Sequence, residues 1–171
     1  MALATPTFKV TDPALIGAQG IHDVSTTQNH PFLTRVKARC PTYGPAEFIY
    51  LKGVASTAVG SVVTFDEAGV TALSVADATG AVAVAMSACD AATDFGWYCI
   101  YGKVPAAALT GFDADNAKCF LTSTAGSIDD AVVKADRIFG MKGASAVDTG
   151  LAEVELNYPQ CHDEVVGEYA T

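Results

Sequence analysis

The chain has 171 residues, a formal net charge of −9 and a charged fraction of only 17%, and this length suits one domain with a sizeable core. Typical soluble proteins are about a quarter charged, so the low fraction predicts that a partner covers part of the surface. The acidic balance argues against nucleic-acid binding by the body, because phosphate backbones would repel it.

Charge is distributed unevenly along the chain. Residues 1–45 hold four basic and two acidic side chains, a net charge of +2, whereas the remainder holds the other six basic and seventeen acidic ones, a net charge of −11. The basic part is too short to bind a polyanion, but it suits an acidic protein surface.

The sequence shows no sign of export or of a membrane span. The N-terminus lacks a charged stretch followed by an apolar one, so no signal peptide is expected, and no window holds the ~18 apolar residues that would cross a bilayer. The odd number of cysteines, without a CxxC pair, predicts reduced thiols in a cytosol rather than a disulfide framework. These cysteines are Cys40, Cys89, Cys99, Cys119 and Cys161.

Residues 1–45 contain five of the seven prolines and leave no room for a helix of normal length. They predict an extended N-terminal arm with one strand, Leu33–Cys40, in which Arg35, Lys37 and Arg39 face the same side. Such a row is typical of a solvated edge strand guarded by charge, or it forms a binding stripe.

From residue 46 to residue 160 the pattern predicts one β domain, followed by an acidic tail over residues 161–171. Short apolar runs separated by turn residues at 8–12-residue spacing favour a sandwich or barrel. Short helical turns at Ser87–Thr93 and Val104–Leu109 are alternatives for two Ala-rich pieces. The predicted strands are Glu47–Val54, Gly60–Phe65, Val70–Val75, Ala81–Met86, Phe95–Val104, Ala117–Thr122, Ile128–Val133, Arg137–Met141 and Leu151–Asn157.

No motif in the chain predicts catalysis, a cofactor or a metal. Cys161 and His162 are adjacent, so on a strand their side chains face opposite ways and do not form a nucleophilic pair. The run from Asp113 to Asn116 resembles a calcium loop but lacks its turn glycine and its bidentate glutamate. The histidines have no zinc spacing, and phosphate-loop motifs are absent. We therefore expect a protein that is not an enzyme.

Trp97 is the only tryptophan and lies among aromatic residues in the run FGWYCIYG. This run favours a core strand whose two faces are both covered. The alternative is a platform on which a sugar stacks, which requires an exposed Trp97.

The order of several short motifs is the most informative pattern in the chain. HPFLTRVKA is followed by AEFIYLKGVASTAVGSVVTFD, AVAVAMSACDAATDFGWYCIYGKV, TSTAGSIDDA, RIFGMKGASA and LAEVELNYPQ. Together, over roughly residues 28–160, they make the chain resemble the head decoration, or capsid cement, proteins of tailed bacteriophages. The resemblance implies an all-β fold, a single compact barrel or sandwich of which a tulip-like barrel is one form, preceded by the proline-rich arm.

The resemblance also implies a structural virion protein that binds the outer surface of the expanded capsid and stabilises it. Its partners would be the major capsid protein and itself, as a homotrimer, with no nucleic acid and no membrane. It would be made in the bacterial host cytoplasm and lie on the capsid exterior. The rival function is a head-fibre or glycan-binding β module on the virion surface.

The expected capsid contacts come from the arm rather than from any family motif. They are Arg35, Lys37, Arg39, His30 and Phe32, in the segment that would strap the major capsid protein. The strand Leu33–Cys40 would add to a strand edge of the capsid, and its cations would meet acidic groups.

Overall fold

The computed structural model describes residues 3–15, 17–113 and 116–162. Within these ranges the chain forms eleven strands and one 3₁₀ turn, Pro13–Leu15. The strands are β1 (Lys9–Val10), β2 (Arg35–Cys40), β3 (Gly44–Lys52), β4 (Val62–Phe65), β5 (Thr71–Leu73), β6 (Gly80–Ala85), β7 (Phe95–Ala107), β8 (Lys118–Leu121), β9 (Ile128–Asp129), β10 (Arg137–Gly143) and β11 (Leu151–Cys161).

All eleven strands belong to one antiparallel sheet that is not closed. The main order is β1-β2-β3-β7-β6-β11-β10-β8-β9, with β4 paired to both β5 and β6, and β7 paired also to β11. The prediction of a single all-β domain is confirmed, and β2–β11 correspond to the strands predicted from the sequence. Neither Ala-rich alternative is helical, since residues 104–107 extend β7 and residues 87–93 form bends and turns.

The open sheet curls back on itself at two places. A parallel bridge between Lys52 and Val70 brings the β4–β5 hairpin to the end of β3, and a second one between Ala108 and Ile128 brings β9 to the end of β7. The 13-residue strand β7 pairs with β3, β6 and β11 and thereby connects the parts of the sheet that the two bridges curl.

Apolar side chains are buried on both faces of β3 and β7. On one face Phe48, Tyr50, Trp97 and Cys99 belong to the large inner core. On the outer face Ile49, Leu51, Tyr98 and Ile100 belong to a second cluster that includes Val63 of β4 and contacts Leu73 of β5. We call this part of the outer face the covered half, because the β4–β5 hairpin folds over it. The rest of the outer face has no such cover.

The segment expected to form an arm lacks a helix of normal length, but it is not separate from the body. β1 pairs with β2, and β2 pairs with β3 along its whole length. Phe8 and Ile21 are buried in the inner core, and the Trp97 Nε1–H donates to the carbonyl oxygen of Gln19 at 2.9 Å. Prolines exclude a helix here but not a strand or a packed loop, so the change of composition near residue 45 is no domain boundary.

Cys161, the first residue of the predicted acidic tail, belongs to the sheet. Cys161 is still paired within β11 and is fully buried, with Ile138 of β10 as its neighbour. Residues 163–171 lie outside the described residues.

Candidate binding surface

Strand β2 has the alternation that the sequence predicts. Arg35, Lys37 and Arg39 are exposed, whereas Val36, Ala38 and Cys40 are buried in the inner core. The three cations therefore lie on the outer face of the sheet, beside the covered half. The outer edge of β2 is not fully available to another strand, because β1 pairs with Ala38 and Arg39 and the Thr11 N–H donates to the Lys37 carbonyl oxygen.

Arg35 is tied to neighbouring side chains. Its Nη1 lies 3.8 Å from Oε1 of Glu47, and its side chain is 58% exposed against 13% for Glu47. Its guanidinium also lies 5.7 Å from the ring centroid of Tyr158. The Tyr158 hydroxyl donates to Oε2 of the same Glu47 at 3.1 Å. These contacts partly neutralise the charge of Arg35 and fix its position.

Lys37 and Arg39 differ from Arg35. Among residues 3–15, 17–113 and 116–162, neither has a carboxylate within ion-pair distance. Arg39 lies directly opposite Lys9 of β1, so two like charges are cross-strand partners on the same face. Like charges in this position are ordinarily destabilising. Sequence reasoning missed Lys9, because a strand of two residues has no periodicity that would place it beside β2.

Two exposed tyrosines lie next to the cations. Glu47 is opposite Tyr101 while Phe48 is opposite Cys99, so an extra residue bulges in β7 and turns Tyr101 outward. Tyr101 and Tyr158 are 43% and 45% exposed, and their ring centroids are 5.5 Å apart. Tyr158 has a φ of 48°, a strained conformation for a bulky residue.

The hydroxyl of Tyr158 keeps its proton more firmly than a free tyrosine. Partial burial raises its pKa, and the hydrogen bond to Glu47 and the charge of that carboxylate raise the pKa further. Tyr158 therefore acts as a hydrogen-bond donor that holds Glu47 in place between Arg35 and the tyrosine pair.

Two open concavities meet at Pro45 and Tyr101. One, of about 580 Å³, is lined by Thr11, Lys37, Arg39, Glu47 and Tyr158. The other, of about 670 Å³, is lined by Lys103, Lys142, Glu155 and Asn157, among others. We call this continuous surface the open groove. Its second part carries ion pairs of 2.9 Å, Lys103–Glu153 and Lys142–Glu155, so its unpaired cations are at the β1–β2 end.

His30 and Phe32, the two other predicted contacts, do not join the cations. His30 is half-buried, its Nε2 accepts the Gln19 N–H at 3.3 Å, and its ring lies 5.0 Å from that of Tyr50. Phe32 is half-buried and stacks on Phe95 with centroids 5.8 Å apart. Both side chains hold the N-terminal segment against the sheet.

Trp97 is fully buried, as the core interpretation of its strand predicts. Its ring packs against Tyr50 at 5.0 Å and His30 at 5.3 Å. It is therefore not accessible as a platform for a sugar, and the glycan-binding alternative loses the residue on which it depended.

The groups considered for chemistry are dispersed. Among the described residues no group of His, Cys, Asp and Glu is arranged to hold a metal ion, and Ala114 and Asp115 of the calcium-like run lie outside those residues. All five cysteines are free and buried. Burial raises the pKa of the Cys161 thiol to about 11 and that of the Cys119 thiol to about 12, so both are protonated at neutral pH.

Comparison with known proteins adds no relative. No family model matches the chain, and no curated protein and no solved structure matches it significantly. In the described part of the chain, no helix has the length and apolar character needed to cross a membrane.

Proposed function

We propose that this chain is a structural virion protein that binds the outside of the expanded capsid of a tailed bacteriophage and stabilises the shell. The open groove supports the proposal, because exposed cations without partners lie there on a well-packed sheet face beside exposed tyrosines. Tyrosine and arginine are enriched at the centres of protein interfaces. The order of the sequence motifs is the second support.

In this role the protein contacts the major capsid protein through Lys37 and Arg39, with Arg35 held beside them. His30 and Phe32 contribute indirectly, since they fix the N-terminal segment on the sheet. The protein lies on the capsid exterior after synthesis in the bacterial cytoplasm, and copies associate as a homotrimer. It has no catalytic function and needs no cofactor.

Co-sedimentation with phage heads tests the proposal. Heads that lack the protein are prepared in expanded and unexpanded forms and mixed with the purified chain. We expect saturable binding to expanded heads and a higher temperature of head rupture once they are decorated. If the protein stays in the supernatant with both forms, or binds without changing the rupture temperature, the proposed function is wrong.

A further inference from the structure

Three cations on β1 and β2, at and beside one end of the open groove, have no ion-pair partner in the described part of the chain. Lys37 and Arg39 line the groove, whereas Lys9, directly opposite Arg39, lines the adjoining concavity. No carboxylate of the described residues lies within ion-pair distance of the three, because Glu47, the cross-strand partner of Lys37, is engaged by Arg35 and Tyr158. A like-charge pair across two strands costs stability. A negative ligand at this position removes that cost and adds charge-assisted hydrogen bonds.

The spacing of these charges fits an extended chain. Lys37 and Arg39 are two residues apart on one strand, so their Cα atoms are roughly 6.6 Å apart. The side chains on one face of an extended peptide repeat at the same interval. A bound peptide running along β2 therefore presents an acidic side chain to each cation if its acidic residues are two positions apart.

The tyrosines supply an apolar contact beside the charges. Tyr101 lies where the two concavities meet, and Pro45 lines both of them. Tyr158 is held by Glu47 and Arg35, so little side-chain freedom is lost when a ligand packs against it. An apolar or aromatic residue of the ligand fits here, next to its acidic pair.

The charge of the whole molecule separates an acidic peptide from a nucleic acid. The net charge is −9, and Glu47 and Glu155 line the same open groove. A strand of uniform negative charge would be repelled along most of its path. A peptide carries its negative charges only where the cations are, and it places neutral residues over the glutamates.

We infer that the open groove binds an extended acidic peptide segment, with acidic residues at positions i and i+2 on Lys37 and Arg39 and an apolar residue on Tyr101 and Tyr158. Lys9, opposite Arg39 in the adjoining concavity, adds a second cation at one of the two acidic positions. The inference rests on the proposed function in that the segment belongs to the major capsid protein. Arg35 is a positioning residue, because its charge is already engaged by Glu47.

A selection from a random library of ten-residue peptides tests the ligand chemistry without any capsid. Immobilised wild-type protein should enrich peptides with Asp or Glu two positions apart and a nearby aromatic residue. Binding of these peptides should fall at least about tenfold for the Lys9→Glu/Lys37→Glu/Arg39→Glu variant, as expected when close charge pairs are reversed. The matched control is Lys134→Glu, which reverses the charge of an exposed lysine that lines neither concavity of the open groove.

The inference is overturned if the selection yields no consensus or a consensus without acidic residues. It is also overturned if the charge reversal leaves binding unchanged while thermal unfolding shows that the variant is folded. If the triple variant does not fold, Arg39→Gln and Arg35→Gln replace it, and Arg39→Gln should weaken binding more. Equal effects of these two substitutions also contradict the inference. In a competition experiment, a single-stranded oligonucleotide and free peptide each displace the bound peptide at some concentration. If the oligonucleotide does so at the lower concentration, the groove is assigned to nucleic acid instead.

Co-sedimentation of the same variants with expanded heads separates this inference from the proposed function. Wild-type protein that selects acidic peptides but ignores heads disproves the capsid role alone. If the triple variant binds heads as strongly as the wild-type protein does, the capsid role stands but the open groove is not the capsid contact.

Discussion

The covered half and the open groove lie on the same outer face of β3 and β7, yet they are built for different tasks. Ile49, Leu51 and Tyr98 are buried on this face beneath the β4–β5 hairpin. A few residues along the same strands, Pro45 and Tyr101 are exposed to solvent. The chain therefore covers one part of its outer face itself and leaves the other part, with its cations, exposed to solvent.

Removal of residues 1–40 should have the largest effect on this arrangement. The deletion takes away β1 and β2 and uncovers Phe48 and Tyr50, which are fully buried. We expect a chain that no longer unfolds cooperatively in urea, as followed by circular dichroism. A truncated chain with a cooperative transition like that of the full chain would show that the N-terminal segment is a separate arm after all.

A matched pair of alanine substitutions compares the two parts of the outer face directly. Leu51→Ala removes a fully buried side chain and should cost about 2–5 kcal/mol of unfolding free energy. Tyr101→Ala removes an exposed ring and should cost at most about 1 kcal/mol. Urea unfolding measures both. Equal costs would mean that the open groove is part of the stabilising core rather than a free surface.

The register of β10 against β11 shifts beside the open groove at one glycine, Gly140. Gly140 has a φ of 76°, and a Cβ there would lie 2.6 Å from the backbone oxygen of Asn157. Gly140→Ala should cost roughly 1–3 kcal/mol. Gly150→Ala is the control, since Gly150 has a φ of 82° but no atom within 4 Å of its Cβ position. If urea unfolding gives the same loss of unfolding free energy for both variants, the contact with Asn157 is not what makes Gly140→Ala destabilising.

Alkaline pH should weaken the fold through its buried thiols, far from the open groove. Burial raises the pKa of Cys161 to about 11 and that of Cys119 to about 12, from an ordinary value of 9.0 that applies in the unfolded chain. Because the folded pKa is the higher one, their contribution is fully present below pH 9. Above pH 9 it falls by about 1.4 kcal/mol per pH unit and thiol until the folded pKa is passed.

Urea unfolding in a reductant at pH 8, 9 and 10 measures this loss. The Cys119→Ala/Cys161→Ala variant should be less stable at pH 8 but should lose less stability between pH 8 and pH 10. If the unfolding free energy falls equally with pH in the variant and in the wild type, these two thiols are not the cause of the fall.

Sequence patterns were sufficient for most of the fold and for part of the surface. Turn residues separated apolar runs clearly enough to predict β2–β11, and alternation placed Arg35, Lys37 and Arg39 on one face. They did not predict β1, because two residues show no periodicity. Nor did they show that Phe8 and Ile21 enter the core, since isolated apolar residues between prolines carry no pattern.

The open groove depends on contacts that no local pattern encodes. Tyr101 and Tyr158 are 57 positions apart and meet only because β7 and β11 pair. The bulge before Tyr101 and the left-handed backbone of Tyr158 turn both rings to the same side. Likewise, Lys9 joins the cations only through its pairing with Arg39.

Lysine acetylation footprinting of the protein bound to expanded heads is the most direct test of the open groove as the capsid contact. Lys37 lines the open groove and Lys9 lies beside it, whereas Lys134 is exposed and lines neither concavity of the groove. On binding, acetylation of Lys9 and Lys37 should slow several-fold while that of Lys134 is unchanged. Unchanged acetylation of Lys9 and Lys37 on fully decorated heads would show that the open groove is not the capsid contact.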